Sequence, residues 1–154
     1  MTRLIAGDPA PDFALPDQNG TTVKLSDFQG QLLLLYFYPR ADTPGCTAQS
    51  CAVRDALPNL EELGVAALGI SPDLPAKQGR FDRKYTLGFP LLSDPDHKVA
   101  ESYGVWGEKS LYGKKYMGIV RSSFLIDKDT SIKQAWYKIS AGATVPNAMA
   151  SLSG

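Results

Sequence analysis

Histidine occurs once and cysteine twice in this chain of 154 residues. Cys46, Cys51 and His97 cannot complete a four-ligand zinc site or a four-cysteine iron–sulfur site, so metal chemistry is not expected. A charge excess is also absent. Lys+Arg and Asp+Glu are both 16, for a formal net charge of zero. Nucleic-acid or membrane-surface partners normally call for a basic surplus, so a small neutral substrate or a protein partner fits better. No apolar run approaches the roughly 18 residues of a membrane span. The opening MTRLIAGDPAPDF lacks an apolar stretch of about seven residues, so no signal peptide is expected. The expectation is a cytoplasmic protein, with no membrane or nucleic-acid association. In a reducing cytosol two cysteines read as catalytic or buried thiols rather than as a structural disulfide. Internal repeats and low-complexity segments are missing too.

What is present is an ordinary globular composition, 44% hydrophobic and 21% charged. The length suits one domain, residues 1–154, with a core that needs no staples. Phe13-Ala14-Leu15 and Thr21 to Leu25 flank Asn19-Gly20, a turn signal for an N-terminal hairpin. Ser26 is placed to cap a single helical turn, Asp27 to Gln29, closed by Gly30. Leu32 to Tyr38 is apolar without alternation, which reads as a strand buried on both faces. Pro39 ends it.

Thr43-Pro44 then reads as an N-cap followed by proline at the first helical position. The helix is expected from about Pro44 to Ala56, kinked or restarted at Pro58 and closed at Gly64. Val65 to Ile70 is a second buried strand, making a strand–helix–strand crossover expected to be right-handed. A polar helix over Pro75 to Tyr85, a short strand at Pro90 to Leu92 and a short helix over Asp96 to Tyr103 come next. Gly104 to Gly118, glycine-rich and basic, reads as a long loop. Arg121 to Ile126 and Ile132 to Ile139 read as a strand pair, and Thr144 to Leu152 as a last helix. A mixed sheet with helices on both faces is the economical packing.

Both cysteines fall on the helix that follows the first buried strand. As third helical residue, Cys46 would sit over unpaired backbone N–H groups and the positive end of the helix dipole, which favours thiolate over thiol. Reactive groups gather at the carboxyl ends of such strands; the competing reading is a small buried hydrophobe. Cys51 lies five residues on. At that spacing it is rotated about 140° from Cys46, and the two Cα atoms are roughly 8.6 Å apart. A disulfide needs less than about 7 Å, so the two cannot bond while the helix is intact. Either they never bond, with Cys51 as core filler, or the helix unwinds locally to let them.

The hydroxyl of Thr43 serves as helix cap, as a contact for an oxygen substrate, or as both. Gln49 shares a helix face with Cys46 and on its own reads as solvated. Arg121 is either an edge residue reaching for water or a fixed charge aimed at the site. His97, in a polar helix start, reads as a surface residue.

Pro39-Arg40-Ala41-Asp42-Thr43-Pro44-Gly45-Cys46-Thr47 resembles the Pro-x-x-x-Thr-x-x-Cys loop of the peroxiredoxins. The fuller TPGCT form with a second cysteine five residues on is similar to the bacterioferritin-comigratory or Q subfamily. Ala10-Pro11-Asp12-Phe13, Leu68 to Ser71, Leu91 to Asp94, Gly104 to Lys109 and Arg121 to Asp127 match family segments in the same order. The order of elements is that of a thioredoxin-like fold with an N-terminal extension.

The resemblance implies a thiol-dependent peroxidase acting on hydrogen peroxide and organic hydroperoxides, with no bound cofactor. Cys46 would be the peroxidatic cysteine, oxidised to a sulfenic acid. Thr43 and the Cys46 backbone N–H would hold the peroxide oxygens, Arg121 would stabilise the thiolate and the leaving oxygen, and Pro39 would shield the sulfur. Gln49, bridging to the arginine, and Gly45 would be supporting residues. Cys51 would resolve the sulfenic acid as an intramolecular disulfide, reduced in turn by thioredoxin or a glutaredoxin-like dithiol protein. A monomer is expected, with at most a weak dimer.

Two rival readings stand beside this one. A redox-sensing or holdase-like interaction protein would use the same helix melting to expose apolar surface. A disulfide exchanger would more naturally carry Cys-x-x-Cys and needs neither Thr43 nor Arg121. The chain departs from the family pattern at its end, where Ser140 to Gly154 carries no charged side chain.

Overall fold

The run Leu32 to Tyr38 becomes the spine of the molecule because it is buried on both sides. In a computed structural model that describes residues 3–153, Leu34, Tyr36 and Tyr38 join one apolar cluster, while Leu33, Leu35 and Phe37 join a second on the opposite face. Alternate side chains of a strand point to opposite faces, so a strand that is apolar throughout must have a packed layer on each side.

The hairpin β1 (Ala14–Pro16) and β2 (Thr22–Lys24) comes first, paired antiparallel with Leu15 opposite Val23. Its turn is closed by Asp17, whose carboxylate accepts the N–H groups of Asn19 and Thr21. A short 3₁₀ turn, Leu25–Phe28, follows. It starts two residues earlier than expected, and Ser26 does not cap it. Instead Asp27 reaches back to accept the Lys24 N–H at 2.9 Å.

The central sheet consists of β3 (Leu32–Phe37), β4 (Val65–Ser71), β5 (Leu91–Ser93), β8 (Ser122–Ile126) and β9 (Ile132–Trp136). Their spatial order is β5-β4-β3-β8-β9. β3 pairs parallel with β4 and antiparallel with β8, so the sheet is mixed. α1 (Pro44–Glu62), α2 (Pro75–Tyr85) and α4 (Thr144–Ser153) supply Val53, Leu60, Phe81 and Ala148 to the cluster on one face. α3 (Lys98–Ser102) supplies Ala100 to the cluster on the other, joined there by Phe13 and Leu25 from the N-terminal extension.

Two expectations are corrected. α1 runs through Pro58 without a break. Pro58 is exposed, so the Arg54 carbonyl that loses its helical partner faces the solvent side, where water can take the bond. The stretch expected as a long loop is a second hairpin, β6 (Trp106–Leu111) and β7 (Lys114–Ile119). Its turn residues, Tyr112 and Gly113, both have positive φ, 52° and 78°, as a tight two-residue hairpin turn requires. Tyr-Gly is a weak turn signal, and the arm is largely exposed, so no buried face imprinted an apolar alternation on its sequence.

Smaller shifts occur at element ends. β8 begins at Ser122 rather than Arg121, β9 stops at Trp136, and α3 shortens because His97 takes a left-handed conformation, φ 51°, just before it.

Gly69 of β4 pairs with Tyr36 of β3 and lies against its ring. A Cβ there would sit 2.9 Å from Cζ and Oη of Tyr36 and 3.1 Å from Leu91. Gly69→Ala should destabilise the fold by about 1–3 kcal/mol through overpacking, read as a lower urea midpoint with unchanged slope.

Candidate active site

β3 delivers its carboxyl end to a six-residue link, Tyr38 to Thr43, and the chain then enters α1. Tyr38 is still held in the sheet by its N–H to Ile70 at 3.0 Å, and the half-buried Pro39 stops the ladder. The link is clamped from the side. Asp73, after β4, accepts the Ala41 N–H at 2.6 Å and the Ser71 hydroxyl at 2.7 Å, with Lys77 at 3.2 Å. Asp42 is left-handed, φ 59°, and its carboxylate is gripped by Lys84 and the Tyr85 hydroxyl of α2, each at 2.9 Å. Those bonds, that from Lys84 first, hold the Asp42 carboxyl below its usual range.

Thr43 occupies the N-cap position with extended backbone, φ −102° and ψ 156°, and its carbonyl accepts the Thr47 N–H. Its hydroxyl does not cap. It donates to the Arg40 carbonyl at 2.8 Å, which commits the proton and leaves the oxygen lone pairs open. A capping hydroxyl would accept from the N–H of Gly45 or Cys46, so with Thr43 turned away those donors in the first turn of α1 have no side-chain cap.

Cys46 is the third residue of α1 and 1% exposed. Arg121, just ahead of β8, brings Nη2 to 3.5 Å from Sγ and donates from Nη1 to Gln49 Oε1 at 2.6 Å. The guanidinium is therefore a fixed charge aimed at the sulfur. Gln49 is fully buried rather than solvated, and its Nε2 donates to Thr144 Oγ1 at 2.8 Å. Gly45 matters because Arg121 crosses over it: a Cβ at that position would lie 3.0 Å from Nη2.

Cys51 is half-buried against the α1 cluster, and both cysteines are free thiols within one continuous helix. His97 stacks on Trp106 with ring centroids 3.7 Å apart and pairs with Glu101 at 3.2 Å, so its partners belong to α3 and β6.

Three contributors were not singled out in the sequence. Tyr36 on β3 shares a 2.7 Å hydrogen bond with Ser50 of α1, and burial pushes its phenol far above the ordinary range. Thr144 lay in a segment notable only for lacking charge. Lys109 fell in the supposed loop. It is half-buried on β6, donates to the Ile119 carbonyl at 2.9 Å, and burial, with Arg121 nearby, pulls its ammonium below the usual lysine range. Lys109 and Trp106 form a shared wall between two clefts, one of about 380 Å³ beside Pro39 and one of about 710 Å³ beside Arg121.

The family model that matches is the AhpC/TSA family, over residues 6–135. The chain belongs to that family. Among its relatives, peroxiredoxin Bcp of Escherichia coli is 57% identical over 88% of this chain and 87% of its own length. Peroxiredoxin Bcp of Bacillus subtilis is 45% identical over 95% and 93%. In structure, the chain resembles the Xanthomonas campestris bacterioferritin comigratory protein at a TM-score of 0.89 and 33% identity, covering 96% of this chain and 97% of that one. The mixed sheet with helices on both faces is the thioredoxin-like arrangement of these peroxiredoxins. As a peroxiredoxin, the chain is an oxidoreductase of the peroxidase class. No helix among the described residues is long and apolar enough to cross a membrane.

Gly45→Ala tests the crossing of this AhpC/TSA chain directly. The added methyl would press on Arg121 Nη2, so the guanidinium must give by a few tenths of an ångström beside Sγ, while α1 keeps a good helix former. Peroxidase kcat/KM should fall roughly 10–100-fold with helix content unchanged by circular dichroism.

Proposed function

We propose that Cys46 is the peroxidatic thiol of a peroxidase that reduces hydrogen peroxide and organic hydroperoxides. The observation that carries the reading is Arg121 Nη2 on Cys46 Sγ at the first turn of α1. A cation and unpaired helix N–H groups at a sulfur favour its anionic, nucleophilic form. The thiolate attacks one peroxide oxygen, the S–O bond forms as the O–O bond breaks, and the departing alkoxide or hydroxide takes up a proton. Cys46 is left as a sulfenic acid. Thr43 Oγ1, its proton already given to Arg40, offers lone pairs to the peroxide O–H. Arg121 faces the charge that develops on the leaving oxygen. Pro39, at the end of β3, shields the sulfur from water. The alkyl peroxide reduction activity of the Xanthomonas campestris neighbour supports an organic hydroperoxide as substrate.

Cys51 is the resolving thiol in this reading. It attacks the sulfenic sulfur, an S–S bond forms, and water leaves. Both cysteines sit on intact α1 with Cα atoms roughly 8.6 Å apart by helix geometry, beyond the roughly 7 Å limit for a disulfide. Resolution therefore requires residues 46–51 to leave the helix. A dithiol protein such as thioredoxin or a glutaredoxin-like protein then reduces the disulfide by exchange and closes the cycle. The chain works as one domain, cytoplasmic and monomeric.

Cys46→Ser should abolish peroxide consumption, and retained turnover would remove Cys46 from its role. Cys51→Ser should still form one sulfenic acid per chain, trapped by dimedone and seen by mass spectrometry, yet fail to oxidise added reduced thioredoxin beyond background. Normal recycling by that variant would show that Cys51 is not the resolver.

A further inference from the structure

Arg121 can only donate hydrogen bonds, so the group that Nη1 meets must be an acceptor. That requirement decides the orientation of the Gln49 amide: Oε1 faces the guanidinium and the NH₂ faces away. Gln49 is fully buried, so the NH₂ cannot turn to water, and leaving it unpaired would be costly. The acceptor it finds is Thr144 Oγ1 at 2.8 Å, from a residue 95 positions away in sequence and itself fully buried.

Thr144 opens α4. The rest of that helix meets the core through Val145, Ala148, Met149 and Leu152, all apolar. The one polar side chain that α4 turns into the interior is thus spent on Gln49. We infer that Thr144 is a positioning residue for the peroxidatic thiol. By accepting from Gln49 it keeps the amide oxygen toward Arg121, and so keeps Arg121 on Cys46.

Without an acceptor at 144, the amide has two poor choices. It can stay with a buried unpaired NH₂, or flip and present that NH₂ to a guanidinium that also only donates. Either loosens the grip on Nη1, and Nη2 at 3.5 Å from Sγ is the contact that gives way. This inference rests on the reading of Cys46 as the reactive thiolate.

The test is the pH–rate profile of Cys46 alkylation by iodoacetamide, measured in the Cys51→Ser background so that one thiol reports. Thr144→Val replaces the hydroxyl with a methyl of the same shape, and its fold is checked by circular dichroism. The profile should move up by about one pH unit, so alkylation below the midpoint slows about tenfold. Thr144→Ser, which restores the acceptor, should return the profile to that of the parent. With Gln49→Glu in place, a carboxylate presents oxygen to Arg121 whichever way it turns, so adding Thr144→Val should produce no further shift.

An unmoved profile in a folded Thr144→Val protein would overturn the inference. So would a Thr144→Ser profile as displaced as that of Thr144→Val, or an equal Thr144→Val shift in the Gln49→Glu background, which would assign the effect to packing. Alkylation needs no peroxide. A Cys46 that alkylates but does not consume peroxide would defeat the proposed function and leave this test intact.

Discussion

The site depends on one cation that can only donate. Arg121 offers one nitrogen to a sulfur and another to an amide oxygen, and each partner must accept. From that requirement the rest of the arrangement follows in sequence. Gly45, with no Cβ, leaves room for the guanidinium to cross the first turn of α1. Gln49 must point its oxygen one way and its nitrogen the other, and Thr144 must stand behind it. Replacing Arg121 by lysine would keep the charge and lose this geometry, because an ammonium has no planar fork to divide between sulfur and amide.

The stretch around Cys46 is held by two sets of contacts that behave differently in the proposed cycle. Asp73, Lys84 and Tyr85 fasten Ala41 and Asp42 to β4 and α2, outside the segment between the cysteines. Arg121, Thr144 and Tyr36 fasten Cys46, Gln49 and Ser50, which lie inside it. If residues 46–51 unwind to bring the sulfurs together, the second set must break while the first can stay. Each buried polar group left unpaired costs about 1–3 kcal/mol, so the reduced helix is not loose, and the covalent S–S bond has to offset that cost. Ser50 and Gln49 give up buried partners on β3 and α4, so opening α1 also disturbs the elements packed on the same face of the sheet. The clamp on Ala41 and Asp42 meanwhile keeps the approach to Cys46 in place, ready for the helix to reform.

Much of this molecule was written locally. An apolar run of that length without alternation reads as a strand covered on both faces, and Leu32 to Phe37 became β3 with Tyr36 and Phe37 pointing to opposite layers. Thr43-Pro44 marked the start of α1 because proline is favoured at the first helical position, and that start placed Cys46 third in the helix. The spacing of Cys46 and Cys51 set their separation before any coordinates, since helix rise and pitch are fixed. Contacts between distant segments were not legible, because the chemistry of each partner is ambiguous alone. Arg121 read equally as a solvent-seeking edge residue, Gln49 as a solvated amide, and Thr144 as one more small residue in an uncharged tail. The Thr43 hydroxyl could cap or contact substrate, and only the position of the Arg40 carbonyl turned it outward from the helix. The β6–β7 arm was missed for a related reason: it is largely exposed, so burial left no pattern in its sequence, and its turn is enforced by positive φ at Tyr112 and Gly113. Local sequence therefore settled the strand, the helix and the distance between the thiols. Only the folded chain could decide which donors meet which acceptors around the sulfur, because hydrogen-bond partners 72 to 95 residues apart are chosen by packing rather than by neighbours in sequence.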